Sequence, residues 1–176
     1  MRVVIVGDEV LSGRIRDANL QLLARLAGGF EITEARFVRD EINDIAEAVK
    51  EALAEDGQVV VAGGLGPTPD DLTRQALGIA LGVEVRFNEL VWEMVQERAR
   101  ALRYPENSLL KNYAMVPVGF LPVENPVGIA PGLLWRSGEK FVLALPGVPR
   151  ELEAVFKNAW ERIKDLAGGG LWGALS

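Results

Sequence analysis

The chain contains neither cysteine nor histidine among its 176 residues. The absence of cysteine excludes disulfide bridges, thiolate zinc sites and cysteine nucleophiles. The absence of histidine removes the usual general base near neutral pH, the Ser-His-Asp triad and histidine-ligated metals. Any catalysis must therefore use carboxylates, backbone N–H groups, lysine, arginine or a hard cation bound by oxygen atoms.

Long apolar runs and an excess of positive charge are also missing. No uninterrupted apolar stretch approaches the ~18 residues of a membrane-spanning helix, and the first residues, 1–6, lack the charged flank and cleavage site of a signal peptide. We therefore expect a cytoplasmic protein with no membrane partner. The net charge of −6 argues against nucleic acid as a partner, because proteins that bind the phosphate backbone usually do so with a positively charged surface.

The residues that are present predict a single domain of the α/β class. Hydrophobic residues make up 49% and charged residues 25% of the chain, a balance typical of folded domains. Apolar runs at 2–6 and 58–62 alternate with segments whose apolar residues recur at helical spacing, and 133–145 predicts a β-hairpin. This pattern predicts a three-layer α/β/α fold with a mostly parallel mixed sheet. We expect residues 1–167 to form the domain and 168–176 a flexible tail.

The most informative segment is the glycine-rich turn Gly63–Asp71, which follows the buried run at 58–62. Ligands of α/β proteins bind where strands end at the carboxyl edge of the sheet, and glycines let a ligand approach the backbone. We expect a helix over 69–81, with Thr68 as its N-cap and Asp71 in a capping box, so that its first N–H groups face a phosphate. The alternative is a purely architectural turn.

If the turns bind phosphate, two strand–turn–helix segments supply the contacts. The predicted phosphate or nucleotide contacts are Gly63, Gly64, Leu65, Gly66 and Thr68 from the first segment, and Gly147, Val148 and Arg150 from the second. For Arg150, the alternative is a solvated arginine in the first turn of a helix.

Carboxylates beside a phosphate raise a question of charge, because Asp70 and Asp71 would repel it. They are expected if a Mg²⁺-like ion lies between them and the phosphate, or if they act on water. Glu9 is a further candidate ligand or base, with a solvated loop residue as its alternative. Asp40 should lie at the same sheet edge, unless it serves as the N-cap of a helix that begins near Ile42.

Two loops contribute further candidate pocket residues. The loop after the first apolar run carries Glu9 and Ser12, and the proline- and glycine-rich segment 125–132 carries Asn125 and Gly128. This segment either forms a wall of the pocket or merely turns a corner.

Four motifs together resemble the molybdopterin-binding domains of the MoaB/MogA/MoeA group, and more closely the N-terminal domain of CinA, the competence/damage-inducible protein A. They occur in the family's order and span nearly the whole chain. The motifs are Gly7-x-Glu9-x-Leu11-x-Gly13 with Asp17-x-Asn19, then Gly63-Gly64-Leu65-Gly66-Pro67-Thr68-x-Asp70-Asp71-x-Thr73, then Asn125-Pro126-Val127-Gly128-x-Ala130-Pro131-Gly132, and Leu145-Pro146-Gly147-Val148-Pro149-x-Glu151.

The resemblance implies a homo-oligomer with a pocket for a nucleoside-diphosphate or pterin-phosphate small molecule. In CinA relatives the domain is associated with Mg²⁺- or Co²⁺-dependent hydrolysis of ADP-ribose-type pyrophosphates. In the molybdenum-cofactor branch it adenylylates molybdopterin, and the aspartates that match Asp71 and Asp40 are catalytic. We therefore expect Asp71, Asp40 and Asp70 to be catalytic, Asp71, Asp70 and Glu9 to bind the metal, and no organic cofactor to be tightly bound. Hydrolase, transferase and non-catalytic binding module remain open.

Three departures from the family pattern affect these hypotheses. Leu65 stands where the molybdopterin branch usually has threonine, which favours the CinA interpretation. Asp8 stands where relatives usually have threonine or serine, which adds a charge beside the pocket. The amidase domain of CinA has no counterpart in the 176 residues, so we expect no amidase activity.

Overall fold

Eight strands form two sheets in the computed structural model, which describes residues 1–168. The strands are β1 (Arg2–Val6), β2 (Glu34–Val38), β3 (Gln58–Ala62), β4 (Val85–Phe87), β5 (Met115–Pro117), β6 (Leu121–Val123), β7 (Gly132–Ser137) and β8 (Lys140–Leu145). The main sheet has the order β2–β1–β3–β8–β7–β6, and β4 pairs with β5 separately. The first four strands of this order are parallel, while β7 and β6 add antiparallel pairs. The predicted mostly parallel mixed sheet and its hairpin are confirmed.

Two layers of helices cover the main sheet. The α-helices are α1 (Asp8–Leu11), α2 (Asn19–Leu26), α3 (Ile42–Glu55), α4 (Thr73–Leu81), α5 (Glu89–Ala101) and α6 (Pro149–Ile163), and 3-10 helices span Ser108–Ala114 and Lys164–Leu166. Alternate residues along the central strands face opposite layers. Val4 belongs to a buried cluster with residues of α3, α4 and α5, whereas Val3 packs with residues of α2 and α6. The predicted three-layer α/β/α arrangement is thereby confirmed.

The parallel strand order brings the loops that follow β1, β2, β3 and β8 to one edge of the sheet. The Gly63 N–H donates to the Leu145 carbonyl at 3.0 Å, so the pairing continues just past the strand ends. A Cβ at Gly63 would lie 2.5 Å from the Val6 carbonyl oxygen, and one at Gly147 would lie 3.3 Å from the Gly63 Cα. Glycine at these two positions therefore allows the turns to pack closely together.

Two predictions about the chain as a whole stay predictions. Among residues 1–168, no helix is long and apolar enough to cross a membrane, but the cytoplasmic location is untested. The proposed tail at 168–176 lies outside the described residues apart from Gly168.

Candidate functional site

A cavity of about 600 Å³ opens at the carboxyl edge of the main sheet, within the size range of ligand pockets. The structure brings together most of the residues that the sequence singled out. Those that line the cavity are Glu9, Asp40, Gly63, Gly64, Leu65, Gly66, Asp70, Asp71, Gly147 and Val148.

The other predicted site residues do not line this cavity: they are Ser12, Thr68, Asn125, Gly128 and Arg150. Arg150 is exposed in the first turn of α6. The Ser12 hydroxyl donates to the Glu9 carbonyl at 3.3 Å, within its own loop.

Asn125 supports the cavity wall from behind. The buried Asn125 Nδ2 donates to the Ala130 carbonyl at 2.7 Å and to Glu151 Oε1 at 2.9 Å, and both Ala130 and Glu151 line the cavity. Its Oδ1 accepts from the Gly128 N–H at 2.8 Å. Of the two interpretations of this segment, the structure therefore favours a pocket wall.

The glycine-rich turn differs from the predicted capping box. Helix α4 begins at Thr73 instead of residue 69, and Thr68 does not cap it. The Thr68 N–H and hydroxyl both donate to Asp71 Oδ2, at 3.0 and 2.7 Å. The bond from the Thr68 N–H is one half of the predicted capping box. The other half is missing, because the Thr68 hydroxyl donates to the carboxylate and the Asp71 N–H donates to the Thr68 carbonyl at 3.0 Å. Asp71 Oδ1 has no partner among the described residues.

Backbone donors remain free along this turn. The N–H groups of Gly64, Leu65 and Gly66 have no acceptor within residues 1–168. The Thr73 hydroxyl donates to the Gly63 carbonyl at 2.7 Å and the Thr73 N–H to the Gly64 carbonyl at 3.2 Å, so these carbonyls are tied to the start of α4. Three unpaired N–H groups in a row are suited to bind an anion.

Sequence reasoning missed Arg74, which fixes the same turn. Arg74 is only 3% exposed, and its guanidinium donates to the Gly66 carbonyl at 2.9 Å and to the Leu65 carbonyl. Burial lowers the pKa of Arg74 to about 10, although the nearby Asp71 raises it. No signal in the sequence marked this role, because in a helix predicted to begin at residue 69 Arg74 would lie in the second turn, beyond the end where the helix dipole acts.

Tyr113 is a second residue that sequence reasoning missed. It comes from the 3-10 helix and lines the cavity, with its ring centre 5.6 Å from the Arg74 guanidinium carbon. Burial raises the pKa of Tyr113 to about 12, so its hydroxyl stays protonated at neutral pH. No short motif marks this position, because it reaches the site from a distant segment of the chain.

Acidic side chains dominate the polar part of the lining: they are Glu9, Asp17, Asp40, Asp70, Asp71 and Glu151. Asp17 is engaged, because its carboxylate accepts the N–H groups of Asn19 and Leu20 at 3.1 and 3.0 Å. Glu151 is bonded to Asn125. Glu9 and Asp70 are available to a ligand, a cation or water, and Asp40 and Asp71 each keep one carboxylate oxygen free of hydrogen bonds within the described residues.

Asp40 is not the helix N-cap that its alternative interpretation required, because Glu41 occupies that position. Instead, Asp40 Oδ2 accepts the Asp8 N–H at 2.9 Å and Asp8 Oδ1 accepts the Asp40 N–H at 3.0 Å. Burial raises the pKa of Asp40, and repulsion from Asp8, Glu9 and Asp71 adds to this, while the Asp8 N–H opposes it.

A divalent ion at these carboxylates would have to be shared with a ligand. Within residues 1–168, no three acidic side chains converge closely enough to hold a metal by themselves. Mg²⁺ commonly keeps several waters and binds one or two carboxylates together with substrate phosphates. Asp71, through its unpartnered Oδ1, and the exposed Asp70 on the same turn meet that smaller requirement.

Asn19 provides a buried acceptor in the cavity lining. It is 8% exposed, and its Nδ2 donates to the Gly147 carbonyl at 2.8 Å. Its Oδ1 is buried and has no partner among the described residues. An unsatisfied buried acceptor requires a donor, and a bound ligand would supply one.

Relatives of known sequence extend over most of this chain. Residues 2–165 match the family model described as "Probable molybdopterin binding domain". A protein of Pyrobaculum arsenaticum is 43% identical over 168 residues, which is 94% of this chain and 63% of that protein. One of Saccharolobus solfataricus is 39% identical over 159 residues, 89% of this chain and 58% of that protein. The chain thus spans less than two thirds of these curated relatives, whose names state no activity.

Solved structures agree with the family model. The crystal structure of the protein CinA from Thermoplasma acidophilum, described as of unknown function, matches with a TM-score of 0.84 and 35% identity, over 92% of this chain and 97% of that one. MoaB from Thermus thermophilus, a molybdopterin biosynthesis enzyme, matches with a TM-score of 0.58 and 17% identity, over 97% and 98%, a likeness of fold alone. The resemblance read from the four motifs is confirmed, and the chain belongs to the molybdopterin-binding domain family, in which it is CinA-like.

Proposed function

We propose that this domain binds a nucleoside-diphosphate compound such as ADP-ribose and, with a divalent cation, hydrolyses its pyrophosphate. The proposal rests on one cavity that combines opposite kinds of group. The free N–H groups of Gly64–Gly66 suit phosphate oxygens, whereas the carboxylates of Asp40, Asp70 and Asp71 would repel them. Carboxylates in this position serve a purpose when they hold a cation or accept a proton from water.

The residues divide between binding and water activation. The N–H groups of Gly64–Gly66, held from behind by Arg74, would bind the phosphate and stabilise charge that develops on it. Asp71 and Asp70 would hold the metal ion, which when bound withdraws charge from the phosphate oxygens.

Asp40 is the residue best suited to act as the base. Its raised pKa makes it a better proton acceptor than an ordinary aspartate. The attacking water would give its proton to Asp40 and its oxygen to phosphorus, while the bridging P–O bond breaks. The products are AMP and a sugar phosphate.

The proposal is tested by incubating the protein with ADP-ribose in the presence of Mg²⁺, Co²⁺ or EDTA and measuring the released AMP by chromatography. We expect turnover only with a metal, and a loss of about 100-fold or more in Asp71→Asn, which keeps an acceptor for Thr68 but lacks the charge. Asp44→Asn is the matched control, because Asp44 pairs with Arg39 and does not line the cavity. No turnover with either metal, together with retained ADP-ribose binding, would favour a non-catalytic binding module.

Molybdopterin adenylylation is the second candidate, and the family model supports its first requirement, the binding of molybdopterin. The same N–H groups would then hold the phosphates of ATP. Leu65 speaks against this activity, because leucine has no hydroxyl to offer the cavity. Its side chain is only 2% exposed and packs in the core. Transfer of AMP from Mg-ATP to added molybdopterin, with no release of AMP from ADP-ribose, would establish this activity in place of the first.

A further inference from the structure

A second cavity, of about 420 Å³, lies between helix α5 and the 3-10 helix Ser108–Ala114. It shares no lining residue with the first cavity. Its volume is within the range of small-molecule sites. Its lining combines two aromatic rings, an apolar floor and two cations, a combination that the proposed hydrolysis does not use.

The aromatic rings come from Trp92 and Tyr104. Trp92 is half-buried and packs on Phe87, with ring centroids 6.1 Å apart. Tyr104 remains 43% exposed, although its N–H is anchored to the Ala99 carbonyl at 2.8 Å. The buried side chains of Ala99 and Leu110 add apolar surface to the lining. Flat aromatic faces with an apolar floor are suited to a planar ring.

The turn that carries Tyr104 adopts an unfavourable backbone conformation. Arg103 has φ 52°, in the left-handed region, and within residues 1–168 it is the one non-glycine residue with positive φ. Glycine is the residue that usually ends a helix in this conformation. Such backbone conformations cluster at ligand sites, where neighbouring contacts hold them in place.

The cations of the second cavity are Arg100 and Lys111. Both are exposed, and neither forms a salt bridge with another described residue. Glu106 is the one acidic residue in the lining, so the cavity is positive in a chain whose net charge is −6. Two uncommitted cations beside aromatic faces favour a ligand with an anionic group.

We propose that the second cavity binds a small molecule in which a planar aromatic ring carries one anionic group, a phosphate or a carboxylate. The ring contacts Trp92 and Tyr104, and the anionic group binds Arg100 and Lys111. This site is separate from the first cavity, and it does not depend on the proposed hydrolytic activity.

Titration of the protein with AMP and with indole-3-acetate, followed by NMR, tests this proposal. The chain has four tryptophans, and the indole N–H signal of Trp92 is identified by its loss in Trp92→Phe. We expect a saturable shift of this signal with at least one of the two anions, of which AMP tests a phosphate and indole-3-acetate a carboxylate. Adenosine has the aromatic ring without the anionic group, and inorganic phosphate has the anionic group without the ring. Each should bind at least about tenfold more weakly than AMP.

A charge-reversal variant locates the binding. In Arg100→Glu/Lys111→Glu, the dissociation constant read from the Trp92 signal should rise at least about tenfold. The matched control is Arg25→Glu/Lys50→Glu, which changes the net charge equally at exposed positions outside both cavities. The proposal is wrong if neither anion shifts the signal, if adenosine binds as tightly as AMP, or if the shift persists in the first variant, since it would then come from binding elsewhere.

Discussion

At the scale of single residues, Arg74 and Asp40 each hold a charge that burial disfavours. Burial lowers the pKa of Arg74 and raises that of Asp40. For Arg74, the hydrogen bonds to the carbonyls of Leu65 and Gly66 offset the cost of burying the charge. For Asp40, the hydrogen bond from the Asp8 N–H favours the ionised form. Groups with shifted pKa values cluster at functional sites, and these two adjoin one cavity.

Replacing Arg74 by methionine should lower the free energy of unfolding by about 1–3 kcal/mol, because two carbonyl groups lose their donors. The affinity for ADP-ribose should fall as well, since the peptides of Leu65 and Gly66 lose their fixed orientation. Urea unfolding and calorimetric titration measure the two effects. Arg86→Met is the control, because Arg86 is exposed on β4, and it should stay within about 0.5 kcal/mol with unchanged affinity. Unchanged affinity in Arg74→Met would contradict a positioning role.

The substitution Asp40→Asn should make stability less dependent on pH. A carboxyl group whose pKa is raised by folding stabilises the folded state below its ordinary pKa of 3.8, and this contribution is lost as the pH rises through the raised pKa. The variant should therefore match the wild type in acid and exceed it at neutral pH. We expect a gain of at most about 1 kcal/mol, because Asp40 is partly exposed. Thermal unfolding across this range measures it, and a less stable variant at neutral pH would refute the assignment.

At the scale of elements, the 3-10 helix Ser108–Ala114 connects the two cavities. The Asn112 side chain donates to the Pro67 carbonyl at 2.7 Å, and Tyr113 covers Arg74. Leu110 and Lys111 line the second cavity. The short helix thus holds the glycine-rich turn from one side while it forms part of a separate site.

Removing the Asn112 side chain should weaken the first cavity without unfolding the domain. Asn112→Ala loses one exposed bond to Pro67, and we expect the affinity for ADP-ribose to fall about fivefold, the equivalent of about 1 kcal/mol. The matched control is Asn158→Ala, which loses an equivalent bond to the Glu124 carbonyl at 3.0 Å, outside the first cavity. Calorimetric titration should show a loss in Asn112→Ala alone. Equal affinities in the two variants would show that the 3-10 helix does not support the site.

The sequence predicted those parts of the fold and site that depend on local pattern. The runs at 2–6 and 58–62 coincide with β1 and β3, because strands buried on both faces of a parallel sheet are apolar throughout. The start of α4 at Thr73 escaped prediction because Thr68 and Asp71 have the spacing of a capping box, yet the Thr68 hydroxyl donates to Asp71 instead of accepting its N–H. The roles of Arg74 and Tyr113 escaped it because tertiary packing alone brings them together.

At the scale of the whole molecule, both edges of the main sheet are protected against pairing with another copy. On β2, Glu34 and Arg36 form ion pairs, and the short strand β6 contains Pro122, which lacks an N–H donor. Charged side chains, proline and short edge strands all discourage edge-to-edge association. The predicted homo-oligomer, which stays a prediction, therefore requires contacts other than sheet pairing.

The net charge of the whole molecule predicts how the affinity for ADP-ribose depends on salt. Without a divalent cation, the affinity for ADP-ribose, a dianion, should rise with added NaCl, because salt screens its repulsion from a chain of net charge −6. With Mg²⁺ present, the dependence should become flatter, since the ion neutralises ligand charge beside Asp70 and Asp71. Calorimetric titrations with EDTA or Mg²⁺ over a range of NaCl concentrations measure this, and uncharged adenosine should show little response. If affinity without metal instead falls as salt is added, attraction by the N–H groups of Gly64–Gly66 outweighs the carboxylates, and no cation is needed for binding.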